Sequence, residues 1–498
     1  MLLAAVIAFL PASALAAGPA PDQFYGVNPG DLFHLPESQW DTHLQAIADD
    51  GIQVVRMGAW WSDLEPGAPV NGVHGYSWSD TDKQVAALAR HNLQWEPLLC
   101  FSATWGSTIP GDYNGAPDGT QNFALFAAAL VKRYGPGGSF WAEHPELPAQ
   151  PVTAYEVWNE ENAKLYWHPS TPEDYADLFA ATSDAIHNVD SSARVMIGGL
   201  AASKTTDSVL APADFLRKMY AHRPDLKGKT DAVAFHPYAR DPEAVYRTIA
   251  AFRGDVDSIA GPGLPIELTE IGWPSNLVSE SKRADYLREL ASTLPRTDCG
   301  LERLSVYAWL GPEQDQGDAG QWFGIANKDG SNKPAADAFA SSVRMMRGLT
   351  TGAPTDTIHL CSGAGTRSVS STAARKKATH LKLKVKVRRH PRRAGRLIIA
   401  ARCSTTCQLQ VQVGVPRPQG VAWASRTTTL AVTSRHVARR QTLSVNFAKR
   451  LGASASRLKI KVTAIARSGS QATRYSTVRL RPAGLVASQA THAAYIPV

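Results

Sequence analysis

Acidic residues almost vanish from the chain after Thr350. From there to the C-terminus Asp356 stands alone against 27 Lys and Arg, leaving 43 acidic and 25 basic residues in the first 350. The two parts of this 498-residue chain therefore carry net charges of −18 and +26, and the overall +8 describes neither. Charge of either sign is missing from the first 21 residues, where an apolar run from Leu2 to Leu10 precedes Pro11 and the A-x-A string Ala14-Leu15-Ala16. This pattern predicts a secretory signal peptide over 1–17 and a secreted or cell-envelope protein. That run is too short to cross a bilayer, and no segment reaches the roughly 18 apolar residues of a membrane span, so none is expected in the mature chain.

Cysteine is scarce, five in all. Cys403 and Cys407 are close enough to join across a tight turn, and Cys299 with Cys361 would tie the end of a first domain to the segment after it, leaving Cys100 as a buried thiol. The 14 histidines form no H-E-x-x-H, and no acidic calcium loop, G-x-S-x-G or phosphate-cradling glycine turn is present. No metal and no cofactor are expected.

What the chain does have is alternation. Strand-like runs at Phe24 to Val27, Val54 to Met57, Trp95 to Phe101, Thr153 to Trp158, Val195 to Gly198, Ala232 to Phe235, Ile266 to Thr269 and Leu304 to Ala308 are separated by amphipathic helical patterns. Those patterns include Trp40 to Asp50, Thr81 to His91, Gln121 to Tyr134, Pro172 to Asn188 and Ser281 to Leu294. Eight such units predict a (β/α)8 TIM barrel over 21–348; a doubly wound open sheet is the runner-up and lacks its Gly-rich turn. A Ser/Thr/Ala/Gly-rich linker is expected over 350–379. Seven period-2 runs, among them LKLKVKV and CQLQVQVGV, then predict an all-β immunoglobulin- or fibronectin-like sandwich over 380–484, followed by a tail, 485–498.

Two strings end candidate strands in glutamate: YEVWNEEN, Tyr155 to Asn162, and IELTEIGWPS, Ile266 to Ser275. Barrel active sites form at the carboxyl ends of strands, and two carboxylates placed there suit glycosidic bond cleavage, one protonating the leaving oxygen and one attacking or activating water. In the second string Ile266, Leu268 and Glu270 share parity, which points Glu270 into the barrel and Glu267 toward the helices. In the first, Glu156 and Glu160 share parity and Glu161 follows, so periodicity leaves three acids open.

Trp-Asn-Glu ending a fourth strand, with Glu ending a seventh, resembles the clan-A glycoside hydrolases, and within them family 39 and cellulase-like bacterial proteins. The resemblance spans 21–348. It implies Glu160 as acid/base, Glu270 as nucleophile, retention at the anomeric carbon, and Asn159 on the sugar 2-hydroxyl. It also matches Arg56 to a guanidinium beside the nucleophile, His236 and Tyr238 in FHPY to groups near it, and Trp309 in YAWL to a platform under the sugar. Where the pattern has proline this chain has Glu161, a second acid whose charge would raise the pKa of Glu160.

Twelve of the 13 tryptophans precede the linker, and Trp60, Trp105, Trp158, Trp167, Trp273, Trp309 and Trp322 fall at or past strand ends, where such rings stack on sugars. The expected partner is thus a carbohydrate substrate. The basic second part reads either as a solvated sheet face or as an anchor to an anionic envelope polymer; with Trp423 and Tyr475 nearly its only inner aromatics, nucleic acid is not expected. A barrel that binds sugar without turnover, and a transglycosylase using the same glutamates, are the alternative functions.

Overall fold

The computed structural model describes residues 19–362 apart from residue 170, and beyond them the backbone of strands between 383 and 479. Eight parallel strands, β1 (Tyr25–Val27), β2 (Val54–Trp60), β3 (Gln94–Cys100), β4 (Ala154–Asn159), β5 (Arg194–Ala201), β6 (Ala232–His236), β7 (Ile266–Ile271) and β8 (Leu301–Val306), close into a barrel in chain order. Closure is direct: β1 pairs with both β2 and β8. The TIM barrel read from the alternation is the observed architecture, with strand ends within three residues of expectation.

Each strand is followed by a helix whose start is written locally. Pro172, Pro212, Pro242 and Pro334 open four of them, at the position where a missing N–H costs nothing and φ is already helical. Thr171 and Asp174 form a reciprocal capping box before Pro172, and Asp241 accepts from the Ala244 N–H at 2.9 Å. The helices Pro212–His222, Pro242–Ile259 and Pro334–Met346 complete the set that the amphipathic patterns began.

The barrel interior departs from the usual filling of branched apolar side chains. Arg303 on β8 places Nε 2.5 Å from Glu96 on β3 and 2.8 Å from Glu267 on β7, and all three are buried. Strands β3 and β8 are not neighbours, so these side chains meet through the lumen. Glu267 therefore points inward, not to the helix layer as strict parity predicted. Burial pushes the Glu96 carboxyl up to about 8, with Arg303 opposing and Glu267 reinforcing the rise.

After its last helix the chain stays fastened to the barrel as far as Ser362. Ile358 donates to the Arg296 carbonyl at 2.8 Å, Asp298 accepts from the Cys361 N–H at 2.8 Å, and Cys361 is disulfide-bonded to Cys299. Cys100 is a buried free thiol. The opening of the expected linker, as far as Ser362, is thus part of the barrel unit. The signal peptide at 1–17, the linker beyond 362 and the tail at 485–498 lie outside the described residues. Seven strands between Leu383 and Arg479 form antiparallel sheets of three and four strands. Their side chains, and with them the sandwich packing and the Cys403–Cys407 pair, lie outside the described residues. Among the described residues no helix is long and apolar enough to cross a membrane.

Candidate active site

Two local irregularities aim the site. On β4, Trp158 and Glu160 hold φ of 72° and 48°, left-handed values that cost a non-glycine residue roughly 1–2 kcal/mol each. The first resets the strand's alternation. Glu156 faces the lumen, but Trp158 turns out to the helix layer, against Phe123 and Trp167 with ring centroids 5.8 and 5.0 Å away, so Asn159 faces in. On β7 the pairing to β8 slips between Leu268 and Ile271, where three steps on β7 match two on β8. This bulge lets Thr269 and Glu270 both address the interior. Glu270 thus reaches the mouth through a bulge and not through parity with Ile266 and Leu268.

Arg56, 3% exposed, sits at the centre. Its Nε and Nη2 donate to the two oxygens of Glu156 at 2.5 and 3.0 Å, Nη1 to Asn28 Oδ1 at 2.9 Å and Glu270 Oε1 at 2.8 Å, and Nη2 to Asn159 Oδ1 at 3.0 Å. All five guanidinium hydrogens are used, which locks the fork in one orientation. Because Asn159 spends its carbonyl on Arg56, its amide NH2 is the end left for a ligand.

The second oxygen of Glu270 accepts from the Tyr238 hydroxyl at 2.9 Å and lies 3.6 Å from His236 Nδ1. Burial alone would raise this carboxyl, but the Arg56 charge and the Tyr238 hydrogen bond are among the groups that outweigh it and hold it below the ordinary carboxylate value. Glu160 is more open, its side chain 19% exposed, with Oε1 3.0 Å from His236 Nδ1. The facing oxygens of Glu160 and Glu270 and the His236 nitrogen all lie within 4.8 Å of one another. His236 itself is fully buried against Gly199, where a Cβ would come 2.0 Å from Nε2. Of the residues singled out in the sequence, Glu160, Glu270, Arg56, Asn159, His236 and Tyr238 converge.

Trp309 does not join them. Its ring is fully buried and its Nε1 donates to His43 Nδ1 on the helix Trp40–Asp49 at 3.0 Å, so no face is left for a sugar. Trp158, Trp167 and Trp273 are likewise core, whereas Trp60, Trp105 and Trp322 keep exposed surface. Tyr307, two residues before Trp309, has its ring centroid 5.5 Å from that of Phe323, and burial and then the Glu270 charge push its phenol up. Tyr166 is raised in the same way, by burial and then by Glu160 and Glu270.

Glu161 also departs from expectation. It is 2% exposed and packs against β5, where a Cβ on Gly198 would meet its Oε2 at 2.6 Å. Among the described residues no cation pairs with it, and burial pushes it well above the carboxylate range. Burial thus works against a charge on Glu161, beside Glu160. Glu156 is one of the three acids that periodicity left open, and the structure places it behind Arg56; Thr269 escaped the sequence reading, hidden by the bulge.

Glu160, His236 and Glu270 are the metal-type donor cluster of the mouth, but both Glu270 oxygens are already engaged and a guanidinium stands 2.8 Å from one. A divalent cation there would face Arg56 at close range, so the donor set fits acid–base work better.

No family model and no curated protein matches the chain. Solved structures do. The GH39 enzyme from Xanthomonas axonopodis pv. citri is 17% identical, covering 86% of this chain and 93% of that one, with a TM-score of 0.52. A monomeric β-xylosidase from Caulobacter crescentus CB15 is 16% identical over 87% and 96%, with a TM-score of 0.51. A family 39 glycoside hydrolase from Bacteroides cellulosilyticus WH2 is 13% identical over 85% and 79%, with a TM-score of 0.50. At these identities the likeness is one of fold: this chain carries a (β/α)8 barrel of the kind on which family 39 glycoside hydrolases are built.

Proposed function

We propose that the protein is a retaining glycoside hydrolase acting by double displacement. Glu270 attacks the anomeric carbon while Glu160 protonates the departing oxygen; Glu160 then takes a proton from the water that releases the sugar from Glu270. The observation that carries this reading is the approach of the Glu160 and Glu270 oxygens to within 4.8 Å, about one shared His236. Inverting enzymes need a gap of roughly 6.5–9.5 Å for an interposed water, so the short separation favours retention. Arg56 and Tyr238 keep the nucleophile ionised and aimed, and Asn159 offers its amide to a sugar hydroxyl.

The test is a panel of aryl glycosides, pentosides included because one barrel of like fold is a β-xylosidase, read for release of the aryl group and for the anomer first formed. Turnover by the wild type but not by Glu270→Ala, with the starting configuration kept, supports the reading; an inverted product or undiminished turnover by the variant overturns it.

We assign the protein to the exported class on its leader string and on the Cys299–Cys361 disulfide, which suits an oxidising compartment. The basic part after Thr351 is proposed to hold it to an anionic envelope polymer. Retention of the full chain on isolated cell walls should fall with salt and vanish on deletion of 368–498; equal retention of both forms removes the idea.

A further inference from the structure

Both ring nitrogens of His236 are committed to partners inside the protein. Nδ1 faces Glu160 Oε1 at 3.0 Å, and Nε2 lies 3.1 Å from Thr269 Oγ1, with His236 and Thr269 fully buried. Thr269 Oγ1 in turn is 3.3 Å from Glu156 Oε1, an oxygen that also accepts from Arg56 Nη2 at 3.0 Å and the Gly199 N–H at 2.8 Å. An oxygen that already receives two N–H donors can only accept from Thr269. The single hydroxyl hydrogen of Thr269 therefore goes to Glu156, its lone pairs face the imidazole, and Nε2 must bring a hydrogen of its own.

We propose that Thr269, oriented by Glu156, is a positioning residue that locks His236 as the Nε2–H tautomer and so presents an unprotonated Nδ1 to Glu160. This deepens the retaining reading and rests on it for its catalytic meaning. A lone pair on Nδ1 accepts from Glu160 at 3.0 Å only when that carboxyl carries the proton, so the lock ties this contact to the acid form that the first step uses. In the first step that proton passes to the leaving oxygen, which keeps the electron pair of the broken C–O bond, while Glu270 bonds to the anomeric carbon. Glu160 is then a carboxylate facing a lone pair, with no donor from His236 to satisfy it. It takes the proton of the incoming water as the water oxygen bonds to the anomeric carbon and the bond to Glu270 breaks. The lock thus serves both halves of the cycle.

The charged and titratable groups facing the imidazole are Glu160 from β4, Glu270 from β7, Tyr238 with its ring centroid 6.3 Å away, and Glu156 with Arg56 behind Thr269. Gly199 on β5 contributes only its backbone.

The test is long-range proton–nitrogen NMR on the full-length chain labelled with 15N-histidine, the His236 signals being assigned by their loss in His236→Gln. The wild type at neutral pH should show a neutral ring protonated at Nε2. Thr269→Val, which keeps the shape and removes the hydroxyl, should lose that single pattern, and Thr269→Ser should restore it. On an aryl glycoside Thr269→Val should lower kcat on the order of tenfold with KM within about twofold, again rescued by serine. A wild-type ring protonated at Nδ1, or an imidazolium, overturns the proposal whether or not the valine variant folds; so does a tautomer unchanged in folded Thr269→Val. If the Nε2–H pattern holds and no glycoside is cleaved, the tautomer assignment stands and the glycosidase reading is what fails.

Discussion

Arg56 Nη1 donates to Glu270 Oε1 at 2.8 Å, joining residues 214 positions apart in the chain. The same guanidinium grips Glu156 with two further bonds, so one cation serves two buried acids, and the distant Arg303 lies between Glu96 and Glu267 in the barrel interior. A buried charge stripped of its partner is expensive, which makes Arg56 both the setter of Glu270 chemistry and a structural joint.

Removing that cation raises the Glu270 value, because Arg56 is among the groups that hold it down. Glu270 must be ionised to attack, so the acid limb of kcat/KM in Arg56→Lys, whose ammonium cannot reproduce the fork, should move to higher pH by about one unit. The limb is measured with an aryl glycoside from about pH 3 to pH 8. Stability follows the same sign: the depressed Glu270 favours folding above the ordinary carboxylate range, and that contribution is lost as pH falls through its folded value.

The two glutamates should fail in different ways. Glu270→Ala loses the covalent step for every substrate, with kcat down on the order of 10³-fold or more. Glu160→Ala should depend on the leaving group: a dinitrophenolate departs without a proton, so its first step survives and sugar release becomes slow. Burst kinetics with good and poor leaving groups separate the two, and identical behaviour would reverse the assignment.

Glu161 should report on folding rather than on catalysis. Its folded value is raised, so it favours the folded state below the ordinary carboxylate range and increasingly opposes it as pH rises. Glu161→Gln should match the wild type in melting temperature near pH 4 and exceed it near pH 8, by about 1–3 kcal/mol of unfolding free energy. Parallel curves at both values would show that burial does not raise this carboxyl.

Gly199→Ala tests whether His236 must lie where it does. The added methyl would come 2.0 Å from Nε2, and the ring has only the direction of the carboxylates in which to move. Activity should drop about 10- to 100-fold, while far-ultraviolet circular dichroism and the unfolding cooperativity stay those of the wild type.

The Cys299–Cys361 bond closes a separation of 62 residues. Replacing both by serine should lower stability by about 3–4 kcal/mol and expose the segment before Ser362 to proteolysis, since its remaining ties to the barrel include only hydrogen bonds, the Arg296–Asp356 and His359–Asp298 pairs and the packing of Ala353 and Leu360. Urea unfolding of the pair variant against the wild type, without reductant, measures the difference.

Much of this was legible in the amino acids. Strand and helix positions follow from periodicity and from prolines that open helices, and both depend on near neighbours in the chain. Strand ends offer Glu270 and leave Glu156, Glu160 and Glu161 open; it is the resemblance to clan-A glycoside hydrolases that singles out Glu160, Arg56, Asn159, His236 and Tyr238.

Which way a side chain points was another matter. Parity assumes an unbroken strand, and the left-handed turn at Trp158 and the bulge at Thr269–Glu270 each break it at the site. The sequence by itself determined the barrel and the carboxyl-end residues. Only the tertiary structure decided that Glu267 faces the lumen, that Glu161 is buried with no cation among the described residues, that Trp309 is core, and that Thr269 and Glu156 stand behind His236. The physical reason is that these choices are set by contacts across the barrel, between strands far apart in sequence, where burial rewards a paired charge and penalises an unpaired one. A periodicity read along one strand carries no record of the strand opposite.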